Sequence, residues 1–343
     1  MKLGVRRQVL RLASPLRSSY GAVEERELLA VELMGADGVP GYGEAAPLEP
    51  YDGVSIAQVE SALERYRPVL ARSKDMNRAQ LIDACRSVED LPQALAAIDL
   101  AMWDRAGRRA GKPVAALLTD RPVSVVPVNA TLSALDRAGV ASQAAEAVRE
   151  GFTCLKVKVG VGDDAGRVAA IRAAAGPVVA LRLDANGAWS VAEAVRAIEI
   201  LSPAGLELVE EPTHGLQAVR EVRERVAVRV AIDETAAQHG ALGAGVADAV
   251  CLKISRCGGI SGLIAAAALV RASGAEAYLA STLDGPLGIA AGLHAAAALA
   301  SRGPVPHCGL ATLELFADLT NPLPARAGKI ALPSGPGLGV DPL

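Results

Sequence analysis

The spacing of apolar residues changes character once along the chain. Up to about residue 110, strand-like runs are followed by helix-like ones, and from residue 123 onward short β-rich apolar runs alternate with helical stretches. Gly4–Leu12 and Glu27–Leu33 read as strands. The polar, Pro-containing segment Ser14–Glu25 between them reads as a long loop, of the kind that serves as a lid. Val39–Glu44 reads as a third strand, and Tyr51-Asp52-Gly53 as a turn. Between Ser55 and Gly107, Ile56, Val59, Leu63 and later Leu95, Ile98, Ala101 and Met102 recur at helical spacing. Gly107 and Gly111-Lys112-Pro113 break the last helix. Residues 1–110 are therefore expected to form an α+β capping domain.

The alternating block begins with strand Val123–Asn129 and helix Ala141–Glu150, then strand Cys154–Val159, helix Asp164–Ala175 and strand Val178–Asp184. It continues with helix Ser190–Leu201, strand Leu206–Glu210, helix Leu216–Val226 and strand Val228–Asp233. A helical piece Gly240–Gly245, strand Ala247–Ile254, helix Ile260–Ser273, strand Ala275–Ser281, helix Leu287–Ala300 and a short strand near Pro306–Gly309 complete it. About eight such units close a (β/α)8 TIM barrel, expected here over residues 111–314. The class is thus α/β, a modified barrel with an N-terminal cap. Residues from about 315 to 343 are left over and free to pack back on the cap. An open doubly wound sheet is the alternative, but no Gly-rich phosphate fingerprint follows the first strand.

Composition narrows the partners. The formal charge is −3 over 343 residues, with Lys and Arg scattered, which removes the usual reason to expect nucleic acid or an anionic membrane. A small molecule is the expected partner, and a homo-oligomer is compatible with it. Cys85, Cys154, Cys251, Cys257 and Cys308 are odd in number and lack CxxC spacing, so they read as buried small residues. Met1–Leu12 has no apolar core of a signal peptide, and no uninterrupted apolar run reaches the roughly 20 residues of a membrane helix. A cytoplasmic location is the expectation.

The chemistry sits at the ends of the strands. Parallel barrel strands share one C-terminal face, and Asp184, Glu210 and Asp233 end three successive strands, one βα unit apart. Three neighbouring carboxylates repel unless a cation lies among them, and an all-oxygen set suits Mg2+, with Mn2+ as its substitute. Lys156 and Lys158 are two apart on one strand and point to the same side. Burial and mutual repulsion would leave one of them uncharged near neutral pH, able to act as a base. Lys253 ends the sixth strand, on the opposite wall.

Together, Lys156-x-Lys158, Asp184-Ala-Asn186, Glu210-Glu-Pro212, Asp233-Glu234 and Lys253 resemble the enolase superfamily, and within it the muconate lactonizing enzyme subgroup. The resemblance covers nearly the whole chain. It implies that Asp184, Glu210 and Asp233 bind Mg2+, that Lys158 is the base, that Lys156 is its electrostatic neighbour, and that Lys253 serves the other face. A lysine or histidine base with Mg2+ is the known pattern of such sites. The shared step is removal of a proton α to a carboxylate. Specificity is expected from Ser14–Glu25, with Tyr20, from Ala45–Asp52, and from the last two strand ends.

Dipeptide epimerases of the subgroup carry Asp-x-Asp after the eighth strand, where this chain has His307-Cys308-Gly309-Leu310-Ala311-Thr312. Ser281-Thr282-Leu283-Asp284, Gly309-Leu310-Ala311-Thr312 and Val126–Thr131 look most like o-succinylbenzoate synthases of menaquinone biosynthesis. Ser281, Thr282, Asp284 and Gly309 are therefore candidate specificity residues. The resemblance implies a lyase that dehydrates 2-succinyl-6-hydroxy-2,4-cyclohexadiene-1-carboxylate. Asp284 departs from that pattern and suits a cationic substrate, which keeps an N-acylamino acid racemase or dipeptide epimerase as the alternative, with a muconate-type cycloisomerase third. A barrel that only binds has no use for interior lysines facing a carboxylate triad, since burying each ion costs several kcal/mol unless it is paired.

Overall fold

The computed structural model describes residues 1–74, 76–301, 303 and 306–343. Its N-terminal part is a three-stranded antiparallel sheet, β1 (Lys2–Ser18), β2 (Gly21–Met34) and β3 (Pro40–Ala45), backed by helices. These are α1 (Glu49–Asp52), α2 (Ile56–Ala71), α3 (Arg78–Val88) and α4 (Pro92–Ala110), followed by the short α5 (Val114–Leu118). Ser55 with Gln58 and Asn77 with Gln80 form capping boxes that start α2 and α3. Leu29, Val31 and Leu33 alternate along β2 and bury one sheet face against Val59, Leu63, Leu95 and Ile98.

The segment Ser14–Glu25 is not a loop. β1 and β2 pair as far as Ser18↔Gly21, leaving only Ser19 and Tyr20 as the turn. The register shifts between Arg11 and Leu16. Pro15 lies in that interval, and having no N–H it cannot donate to a ladder. The polar ribbon read as a loop because its strand character comes from pairing across the hairpin.

After β4 (Val125–Pro127), the barrel is built from β5 (Ala130–Leu132), α6 (Arg137–Arg149), β6 (Cys154–Lys158), α7 (Asp164–Ala175), β7 (Ala180–Asp184) and α8 (Val191–Leu201). It continues through β8 (Leu208–Glu210), α9 (Leu216–Arg225), β9 (Val230–Ile232), β10 (Ala249–Leu252), α10 (Ile260–Ala272), β11 (Glu276–Leu279) and α11 (Pro286–Ala300). Seven parallel strands run in the order β11-β10-β9-β8-β7-β6-β5. Parallel bridges Ala280↔Gly309 and Val128↔Cys308 join the two edges. Outward residues such as Leu155, Val157, Leu181 and Leu183 pack under the helices, while their neighbours Lys156, Lys158, Arg182 and Asp184 face the interior.

Two expected elements differ. The run Val123–Asn129 is not the first stave. Val125–Pro127 pairs antiparallel with β13 (Lys329–Ala331), itself paired with β12 (Ala325–Arg326), and the first stave is Ala130–Leu132. The tail meets the cap as well, through the bridge Leu12↔Phe316. Gly240–Gly245 is not a helix either. β9 is followed by 3-10 turns at Glu234–Ala237 and Ala241–Gly243, because Gly240, Gly243 and Gly245 within six residues leave the backbone too free for an α-helix. Among the described residues, no helix is long and apolar enough to cross a membrane.

Candidate active site at the C-terminal ends of the strands

Strand register sets the first row of the site. Lys158 pairs with Asp184, and Asp184 with Glu210, so three charged side chains end neighbouring staves at one level. Lys158 Nζ donates to Asp184 Oδ2 and Asn186 Oδ1, both at 2.6 Å. The Lys156 ammonium lies between two acids, 2.8 Å from Asp184 and 2.7 Å from Glu210. Across the barrel, Lys253 donates to Asp233 Oδ2 and to the Tyr51 hydroxyl, both at 2.6 Å. Tyr51 comes from the cap and donates to Asp233 Oδ1 at 2.6 Å, and Arg256 also reaches its hydroxyl. Below the row, the Tyr278 hydroxyl donates to Glu210 at 2.8 Å.

These contacts set the charges. Burial works against the ammonium form of Lys156, but Asp184 and Glu210 outweigh it and raise its pKa. Burial likewise opposes the charge on Lys253, and Asp233 outweighs it. The expectation that burial and mutual repulsion discharge a lysine does not hold for these two, because each meets a carboxylate. Burial would raise Asp184 and Asp233, yet Lys156 and Lys158 hold the first below the usual carboxylate range, and Lys253 and Arg256 the second. Glu210 is raised, by burial and then by Asp184.

The donor set fits a divalent cation. Glu210, Asp233 and the Cys251 thiol have ligand atoms within 4.8 Å of one another, and Glu210 Oε1 is buried without a hydrogen-bond partner. Asp184 stands outside that trio and is tied to Glu210 through Lys156. Burial pushes the Cys251 thiol well above its ordinary pKa, and Mg2+ prefers the hard oxygens of the acids to sulfur.

A cavity of about 120 Å³ opens above this row, with Lys156, Lys158, Asp184, Asp233 and Lys253 in its walls. Tyr20, Ser281, Thr282 and Gly309 also line it. Tyr20 donates to Glu234 at 2.9 Å, and its neighbour Ser19 to the Asn186 carbonyl at 2.9 Å, so the hairpin tip is fastened to the barrel rim. Leu16, Val23, Leu48, Pro50 and Leu283 form the apolar part of the wall. Asn186, Glu211 and Leu283 hold positive φ of 45°, 41° and 58°, strain that accumulates at functional sites.

Asp284 does not line the cavity. It is buried behind Thr282, which donates to it at 2.7 Å, in a cluster with Arg26 and Glu44. Arg26 donates to the carbonyls of Thr282, Pro47 and Ala46, and Glu44 accepts from Gly285 N at 2.7 Å, which ties cap to barrel. Burial, then Asp284, pushes Glu44 up to about 8. His294 and His307 are also engaged elsewhere, the first with Leu338 and Ala115, the second with Thr153. Arg256 escaped the sequence reading, which included Tyr51 only within the specificity segment Ala45–Asp52 and not as a partner of Asp233 and Lys253. Tyr51 carried one signal, an aromatic within a turn of a chain with only 3% aromatic residues.

The comparisons agree with this architecture. Residues 1–119 match the mandelate racemase / muconate lactonizing enzyme N-terminal domain, and residues 139–343 the enolase C-terminal domain-like family. The chain is 32% identical to muconate cycloisomerase 1 of Rhodococcus opacus, over 96% of this chain and 92% of the relative. It is 31% identical to a hydrophobic dipeptide epimerase of Enterococcus faecalis, over 86% of each. The structure of a dipeptide epimerase from that organism, complexed with Mg and L-Leu-L-Tyr, superposes with a TM-score of 0.88 at 29% identity, covering 98% of both chains. N-succinyl Arg/Lys racemase from Bacillus cereus superposes with a TM-score of 0.90 at 26% identity, covering 99% of this chain and 95% of that one. With both domains matched in order and relatives aligned along nearly its full length, the chain belongs to the mandelate racemase/muconate lactonizing enzyme family of the enolase superfamily.

Proposed function

We propose that this protein is a racemase or epimerase that inverts the α-carbon of an N-acylated amino acid. The observation that carries the reading is the placement of Lys158 and Lys253. They end β6 and follow β10, with three staves between them, and both face one cavity. Inversion needs one group to remove the α-proton from one face while a second delivers a proton to the other. Lys158, as the free amine, takes the proton and becomes an ammonium. Lys253, held as an ammonium by Asp233, gives its proton to the opposite face, and the enantiomer reacts with the roles exchanged. Lys156 holds positive charge beside Asp184 and Glu210. Asp184, Glu210 and Asp233 would hold Mg2+, with Mn2+ as its substitute, supplying charge that offsets the charge the substrate carboxylate gathers as its proton leaves.

The rest of the wall supports a neutral substituent on nitrogen. Among the described lining residues, the cations are the three lysines and the acids are Asp184 and Asp233, all paired with one another. A free ammonium would lack its own acid, and a second carboxylate would lack its own cation. The second carboxylate matters for the dehydration that the motifs around Ser281 and Gly309 suggested, because the cyclohexadiene precursor carries one. The epimerases and racemases among the relatives add weight to the isomerase reading.

The test is incubation of the Mg2+-loaded protein with single enantiomers of N-acetyl amino acids, followed by chiral chromatography. The expected result is approach to a racemic mixture. No inversion across the panel, together with dehydration of the menaquinone precursor, would replace this reading with the lyase.

A further inference from the structure

Six barrel helices, α6 to α11, run between 10 and 15 residues, but the connection after β9 holds only two 3-10 turns. Where that helix would pack lies a gap of about 950 Å³, walled by Val54 and Leu91 of the cap, Leu242 of the second turn, and Ala265 and Leu269 of α10. The staves part at the same place. Cys251 and Leu252 pair with β11, whereas pairing on the β9 side ends at Val250↔Ile232. Tyr51, Asp233 and Lys253 line both this gap and the cavity above the charged row.

Size separates the two spaces. Ligand sites commonly measure about 300–1,000 Å³, so the cavity of 120 Å³ can hold the reacting end of a molecule and little more, while the gap falls within that range. Its walls are mainly apolar, and Leu269 is 56% exposed there. Gln93 lines the gap, is 3% exposed, and donates to Asp52 at 2.9 Å, while its Oε1 is buried without a partner.

We infer that the gap left by the missing fifth helix is a subsite for a long hydrocarbon arm of the substrate, the acyl chain of an N-acyl amino acid. The carboxylate end remains among the lysines, and the chain leaves over the ring of Tyr51, which lines both spaces. The inference rests on the proposed function for the carboxylate end alone. Burying hydrocarbon along Leu91, Leu242, Ala265 and Leu269 supplies the affinity.

Calorimetric titration of the Mg2+-loaded protein with N-acetyl, N-hexanoyl and N-decanoyl forms of one amino acid tests it. Affinity should rise at least about tenfold from acetyl to decanoyl, the equivalent of burying two methylenes. Ala265→Trp, which fills the gap from an exposed position, and Leu269→Glu, which charges its wall, should each remove that gain and leave acetyl binding and turnover unchanged. Affinity independent of chain length, or a gain that survives both substitutions, would overturn the subsite. Turnover of the acetyl form without the affinity gain faults the gap alone, and the gain without turnover faults the chemistry alone.

Discussion

The Glu211 carboxylate accepts the backbone N–H of Asp233 at 2.7 Å, so a side chain at the end of one stave holds the backbone at the end of the next. Glu211 is fully buried and also accepts from Thr235 N at 3.0 Å and from the Thr235 hydroxyl. Its φ of 41° is the strained backbone that aims it there. Glu211→Ala strands these donors and should cost at least about 1–3 kcal/mol of stability. Because Asp233 loses its anchor, Mg2+ affinity should also fall about tenfold, read by calorimetry. Unchanged Mg2+ affinity would deny Glu211 this positioning role.

Tyr51 joins cap to barrel chemistry through one hydroxyl shared by Asp233 and Lys253. Tyr51→Phe removes that oxygen and leaves the ring in place. Each buried partner then lacks one bond, a cost of about 1–3 kcal/mol of stability, so the thermal midpoint should fall by a few degrees and turnover should fall with it, roughly tenfold or more. Steady-state kinetics and a melting curve on the same preparation check both parts.

His294 gives stability an acid limit. Burial lowers its pKa from 6.5 to about 4, and its ring accepts from Ala115 N while facing the Leu338 carbonyl. A folded-state value below the unfolded one favours the neutral ring. This contribution is therefore complete above pH 6.5 and is lost as pH falls toward 4, about 3 kcal/mol in all. His294→Gln should flatten the dependence of unfolding free energy on pH between 6.5 and 4, measured by urea denaturation.

Much of this site is legible in the sequence. Strand periodicity places Lys156 and Lys158 on one side, and the repeat of the βα unit brings Asp184, Glu210 and Asp233 to neighbouring strand ends, since both follow from local rules. Tyr51 was not legible, because its role depends on how the cap docks on the barrel. The strand character of Leu16–Ser18 comes from its partner Val23–Gly21, which no local window shows. Asp284 had the composition of a substrate contact, but its burial against Glu44 and Arg26 arises from tertiary packing. The three glycines between residues 240 and 245 are the local sign that no helix forms there.

Chelation should act on stability as well as on rate. Glu210 Oε1 is a buried acceptor without a partner, and the acids around it repel one another. Saturating Mg2+ should raise stability by about 2.7 kcal/mol at a hundredfold excess over its dissociation constant, and EDTA should reverse the gain and stop turnover. Asp233→Asn should abolish the Mg2+-dependent shift in melting temperature. A shift that persists in this variant would place the ion elsewhere.

The central claim, that Lys158 and Lys253 serve opposite faces of one carbon, is tested most directly by α-proton exchange in D2O, followed by proton NMR on separate enantiomers. The account predicts that Lys253→Ala exchanges the α-proton of one enantiomer without inverting it, that Lys158→Ala does the same for the other enantiomer only, and that neither racemises. Exchange of the same enantiomer by both variants, or inversion at the wild-type rate by either, would contradict it.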